Sequence, residues 1–133
     1  MNILLRGVEL SGRAQDVFLE DGVIREISEN CTRTADKVIN GKNKAVLPAL
    51  VNGHTHAAMT LFRGYADDMP LKDWLETKIW PLETKLREED VYWGVKLACL
   101  EMIKNGITVF NDMYWHWEAT AAAVREMKIR GFI

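Results

Sequence analysis

Cysteine is scarce: Cys31 and Cys99 stand far apart, with no C-x-x-C spacing. That excludes a disulfide scaffold and a thiolate zinc site, and it fits a reducing compartment, so the expected setting is cytoplasmic. Three prolines and nine glycines are too few for collagen-like or low-complexity architectures. No apolar run approaches the roughly 18–20 residues of a membrane span. The opening MNILLRGVEL lacks the charged-then-apolar order of a signal peptide. Basic residues are not in excess, since 17 Lys and Arg against 19 Asp and Glu leave a net charge of −2. A surface that grips phosphate backbones carries a basic surplus, so nucleic acid is not expected as a partner, nor is a membrane. What is present is globular: 48% of the residues are hydrophobic and 27% charged.

Residues 1–45 read as short strands joined by tight turns. Asn2 to Leu10 is β-rich, and Ser11-Gly12 signals a turn. Asp16 to Glu20 alternates apolar and polar residues, Asp21-Gly22 makes a hairpin turn, and Val23 to Ile27 alternates on the way back. Lys37 to Asn40 is a further strand. The pattern predicts a small antiparallel sheet or half a sandwich.

The character changes after residue 45. Lys44 to Val51 (KAVLPALV) is nearly all apolar and suits a strand buried on both faces, with Pro48 marking a bulge or the start of the true strand. A short helix is expected from Leu71 to Lys78, entered at Pro70 and ended by Pro81. Val91, Val95, Ala98 and Met102 recur at helical steps, and Asn105-Gly106 stops that helix. Arg87 stands where a Ser or Thr cap is expected. Ile107 to Phe110 is a buried strand, Glu118 to Lys128 a helix, and Arg130 onward a third strand. This βαβ order predicts an α/β fold with a parallel sheet. The final strand is apolar and uncapped, so the chain reads as truncated.

Chemistry concentrates in NGHTH, residues 52–56. Residues two apart on extended backbone face one side, so His54 and His56 can converge on one metal ion. They sit where the apolar strand ends, and the carboxyl ends of strands carry the active sites of α/β proteins. By themselves, two strand-end histidines more often make ordinary hydrogen bonds than hold a metal. Trp74 and Trp80 suit either ligand stacking or packing. Arg63, Asp67 and Asp68 are read as a loop salt bridge. Asp112 and His116 lie just past the second strand, within reach of the site, and His116 is better read as a hydrogen-bonded structural residue.

The run PALVNGHTHAAMTLFRGYADDMPLKDWLETKIWPLE, residues 48–83, resembles the amidohydrolase superfamily. Within it, DWL at 73–75, WPLE at 80–83 and NDMYWH at 111–116 resemble the 5-methylthioadenosine/S-adenosylhomocysteine deaminases. The resemblance spans the chain and about the first third of such an enzyme. It implies residues 1–45 as the N-terminal part of a small β-sandwich domain, and residues 46–133 as the first β/α units of a metal-dependent (β/α)8 TIM-type barrel, which needs about 250 residues when complete. It further implies His54 and His56 as ligands of one divalent metal, zinc first, with iron or manganese as alternatives. Glu83 would receive ribose hydroxyls, and Trp74 would lie against the substrate, a small purine nucleoside.

The reaction implied is hydrolytic deamination, with a metal-activated water attacking C6 of the adenine ring. Two histidines do not complete such a site. The other ligands and the acid/base residues are expected beyond Ile133, none of the catalytic groups lies within the chain, and the fragment is expected to be inactive alone. Other amidohydrolases, such as a guanine deaminase or a triazine chlorohydrolase, remain open, as do a non-catalytic binding module on the same fold and a homo-oligomer.

Overall fold

A computed structural model describes residues 1–133. The chain divides into two compact units, residues 1–48 and 49–133.

The first unit is a four-stranded sheet in the order β3-β2-β1-β4, formed by β1 (Asn2–Leu10), β2 (Arg13–Glu20), β3 (Val23–Ser28) and β4 (Lys37–Asn40). Two tight turns join the first three strands. Ser11-Gly12 and Asp21-Gly22 both adopt positive φ at their two central positions, the backbone of a type I′ hairpin, which matches the strand twist. β2 begins three residues earlier than the alternation suggested, because Leu10 pairs with Arg13 directly across the first turn. The sheet is not purely antiparallel as expected: β4 runs parallel to β1, with Ile3 opposite Lys37 and Leu5 opposite Ile39. The connection from residue 29 to 36 carries the chain back to the far edge, which makes a parallel partner possible.

Leu4, Phe18 and Cys31 form the core of this unit. Beside them Asp16 is only 4% exposed. Its carboxylate accepts hydrogen bonds from the amides of Gly7 (2.8 Å) and Cys31 (3.1 Å) and lies 3.4 Å from the Arg6 guanidinium. A buried carboxylate is tolerable there because both of its oxygens are engaged.

The second unit is a three-stranded parallel sheet in the order β5-β6-β7, formed by β5 (Leu50–Thr55), β6 (Ile107–Asp112) and β7 (Arg130–Phe132). The predicted strand Lys44–Val51 is corrected: β5 begins beyond Pro48, which has no amide to donate to a ladder. Nor is it buried on both faces. Leu50 and Val51 are 61% and 68% exposed, because β5 packs substantially only against β6 and no helix covers its start.

A 3-10 helix, Ala57–Phe62, follows β5 directly. Residues 71–83 then form one helical stretch: α1 (Leu71–Trp74), a π turn (Leu75–Ile79) and α2 (Trp80–Glu83). Pro81 therefore does not end the helix as expected. The Trp80 amide bonds back five residues to Leu75, and this widened turn takes in a residue that has no amide of its own.

α3 (Glu88–Lys104) buries Val91, Val95, Ala98, Cys99 and Met102 on one face, as its periodicity predicts. These pack with Ala57, Ala58, Phe110, Ala123 and Val124 into the core of the unit. The missing Ser or Thr cap is offset by Asp90, which accepts from the Arg87 amide at 3.0 Å and pairs with the Arg87 guanidinium. α4 (Trp117–Met127) contributes Thr120, Ala123 and Val124 to the core. Arg63 does not pair with Asp67 or Asp68. Its guanidinium grips Glu101 on α3 through two bonds of 2.8 and 2.7 Å, a fork that a planar cation and a carboxylate favour.

Candidate active site

The site is built at the carboxyl end of β5. Asn52 Oδ1 accepts from the His54 amide at 3.2 Å and shapes the strand end. Asn111 Nδ2 reaches Gly53 O from the neighbouring strand at 3.4 Å. The chain leaves the strand at His56, whose carbonyl accepts from the Met59 amide and starts the 3-10 turn. His54 and His56 sit side by side, with ring centroids 5.1 Å apart and planes at 84°.

His56 Nδ1 lies 2.7 Å from the Met113 carbonyl. A carbonyl only accepts, so Nδ1 is the donor, and in the neutral ring the lone pair then lies on Nε2. This donor chemistry suits a borderline divalent ion, which favours neutral imidazole. The chain assembles no group of three or more His, Cys, Asp or Glu able to hold a metal. The pair therefore fits two places in a coordination sphere that needs at least one more ligand.

The two rings open into a cavity of about 650 Å³, whose walls also include Trp74, Trp80, Glu83 and Tyr114. The structure thus brings Trp74 and Glu83, the two residues singled out for substrate, to the histidine pair. They arrive on the helical stretch 71–83, where the π turn and α2 separate Trp74, the last residue of α1, from Glu83, the last of α2, and both line the same wall. Trp74 Nε1 donates weakly to Tyr65 O at 3.4 Å, and Trp115 Nε1 reaches Glu83 Oε2 at the same distance. A second cavity of about 660 Å³ shares Trp80, Glu83 and Trp115 with the first and is also lined by His116. His116 does not join the metal pair. It caps α4 in a left-handed conformation and places Nε2 3.2 Å from Leu86 O, the structural role expected of it.

Tyr114 and Trp115 are wall residues that motif reasoning did not single out. Their signal was positional: both follow the carboxyl end of a strand parallel to β5, so they emerge on the same edge. Burial holds the Tyr114 phenol well above its usual range, and the Glu83 carboxylate adds to the effect. Asp112, at the last position of β6, is 5% exposed, and desolvation raises its carboxyl above the ordinary value while a hydrogen bond from the Ala57 amide opposes this.

Sequential parallel strands, the first two each followed by helix, with a histidine pair at the carboxyl end of the first, define a β/α protein whose chemistry sits on its strand-end face. The chain belongs to the amidohydrolase family, whose model matches residues 45–133. It is 48% identical over 133 residues to a 5'-deoxyadenosine deaminase of Methanocaldococcus jannaschii, covering 98% of this chain and 32% of that protein. It is 55% identical over 117 residues to a 5-methylthioadenosine/S-adenosylhomocysteine deaminase of Dictyoglomus turgidum, covering 87% and 28%. Among solved structures it resembles an adenosine deaminase from Xanthomonas campestris with bound zinc, at 31% identity and a TM-score of 0.86, covering 98% of this chain and 32% of the other. The chain spans about a third of the length of the curated relatives it matches.

Proposed function

We propose that the chain forms the first part of a metal-dependent aminohydrolase of adenosine-type nucleosides, including 5'-deoxyadenosine, 5-methylthioadenosine and S-adenosylhomocysteine. The observation that carries the reading is one cavity walled at once by His54, His56, Trp74 and Glu83. In the overall reaction water adds its oxygen at C6 of the purine, the bond from C6 to the exocyclic nitrogen breaks, and an inosyl product and ammonia leave.

His54 and His56 would hold a divalent metal, zinc in the first instance. When bound, such an ion supplies Lewis-acid activation of water near neutral pH. Glu83 takes the ribose: a carboxylate accepts from two vicinal hydroxyls at once, and no side-chain cation competes for it in this wall. Trp74 offers an indole face to the purine, an apolar contact that also sheds water from the ring. The His56 ring is kept from rotating by its bond to Met113 O, which leaves Nε2 as the nitrogen that would meet a metal. The reading needs a further metal ligand and a general acid/base, and it places both in the remainder of a protein as long as the relatives. That remainder would also continue β5, β6 and β7 into a (β/α)8 barrel.

The test has two arms. Zinc titrated into the 133-residue chain should bind weakly, and His54→Ala or His56→Ala should abolish that binding; no turnover of any nucleoside is expected from the chain alone. In the longer protein that carries this segment, deamination of the adenosine-type substrates should exceed that of guanine and of chlorotriazines, and chelation should stop it. Glu83→Gln there should raise KM for the nucleosides about tenfold or more, the loss of a charge-assisted hydrogen bond of roughly 1.5–3 kcal/mol. Equal activity after complete metal removal would refute the reading.

A further inference from the structure

We propose that Asp112 is a positioning residue for the histidine pair. Its buried carboxylate and the adjoining Met113 backbone lock His56 into one orientation and one tautomer. The inference rests on the metal-site reading above, but its observable is the imidazole itself.

The end of β6 meets the end of β5 through three successive hydrogen bonds. The Met113 amide donates to Thr55 O at 3.2 Å. The Met113 carbonyl faces His56 Nδ1 at 2.7 Å. The Ala57 amide donates to Asp112 Oδ1 at 2.8 Å. Residues 55, 56 and 57 are thus each held by residue 112 or 113. Regular strand pairing ends at Thr55 opposite Asp112, so the ladder itself does not fix His56. Only the grip from either side does.

The grip is backed from behind. Ala58 is fully buried, and Thr60 Oγ1 donates to Gly94 O at 2.8 Å. The turn that follows His56 is therefore pinned to α3, and a displaced ring has no slack to draw on. Asp112 is an expensive choice for a mere peg. It is 95% buried, and its second oxygen, Oδ2, has no hydrogen-bond partner. An orphaned buried carboxylate oxygen costs stability that a hydroxyl or amide would save. A carboxylate that holds the backbone next to a metal-binding residue keeps that residue oriented, which gives the buried group a use beyond packing.

The experiment uses the 15N-labelled chain without metal, at about pH 8, where an ordinary imidazole is neutral. Long-range 1H–15N spectra should show His56 as the Nδ1–H tautomer, the minor form in free histidine. Asp112→Ala should shift it toward the free-histidine mixture and weaken zinc binding by about 10- to 100-fold. Asp112→Asn, which keeps an acceptor for the Ala57 amide, should retain the tautomer and lose less affinity. Should Asp112→Ala fail to fold, exchange of the Ala57 amide decides: it should be protected in the native chain and in Asp112→Asn, and an unprotected Ala57 amide in the native chain overturns the proposal. A free-histidine mixture at His56 in the native chain overturns it too, as does a folded Asp112→Ala with native tautomer and zinc affinity. If the tautomer behaves as expected but zinc never binds, the metal reading fails and the positioning stands. If zinc binds native and Asp112→Ala chains alike, the metal reading stands and the positioning fails.

Discussion

Cys99 lies at the centre of the second unit with no exposed surface. Burial pushes its thiol up to about 11 from an ordinary 9.0, and the charge of Asp112 adds to this. In the unfolded chain the thiol ionises near its ordinary value, while in the fold it stays protonated. Above that value the unfolded state therefore binds fewer protons, and stability falls as pH rises. The contribution is intact below about pH 9 and lost by about pH 11, on the order of 2 kcal/mol in all. Urea unfolding across that range should show the decline, and Cys99→Ala should flatten it whatever its own effect on baseline stability. An alkaline slope unchanged in Cys99→Ala would refute the assignment. Tyr114 shifts in the same direction from an ordinary 10.0, so a residual slope from about pH 10 upward is expected in both proteins, and the Cys99→Ala difference is read most cleanly between about pH 9 and 10.

At the scale of elements, the contact between α3 and the 3-10 helix is decided by Gly94. A Cβ there would meet Ala58 O at 2.7 Å and Ala58 Cα at 3.1 Å, backbone atoms that no rotamer change can move. An exposed helical glycine gains up to about 1 kcal/mol on becoming alanine. Here overpacking outweighs that gain, and Gly94→Ala should cost about 1–3 kcal/mol in chemical denaturation. A stabilised Gly94→Ala protein would show that the two helices have room to part. The same contact shows what sequence reading reaches and where it stops. Val91, Val95, Ala98 and Met102 announced the buried face of α3 by spacing alone. Gly94 sits between them and carries no side chain, so its close approach left no periodic mark. Pro81 differs from expectation because a proline signals a stop in an α-helix, whereas the π turn that admits it depends on a backbone bond reaching five residues back instead of four. The parallel partner of β1 was invisible for a related reason: strand alternation encodes which face is buried, not which neighbour lies alongside or in what direction.

Across the whole molecule, the histidine pair and the wall residues Trp74 and Glu83 were legible because they lie in one short stretch of sequence with recognisable motifs. The supporting grip of Asp112 and Met113 was not, since it joins residues more than fifty positions apart. β5 was expected to be covered on both faces, yet Leu50 and Val51 stand open to water. So do Trp93, Leu97 and Leu100, which line the outer side of α3. In solution these surfaces make the 133-residue chain sticky. It should brighten an anilinonaphthalene dye, elute early and broadly from a sizing column as concentration rises, and be rescued by lysine at Val51, whose charge would repel an incoming strand. A chain that runs as a sharp monomer and leaves the dye dark would contradict this.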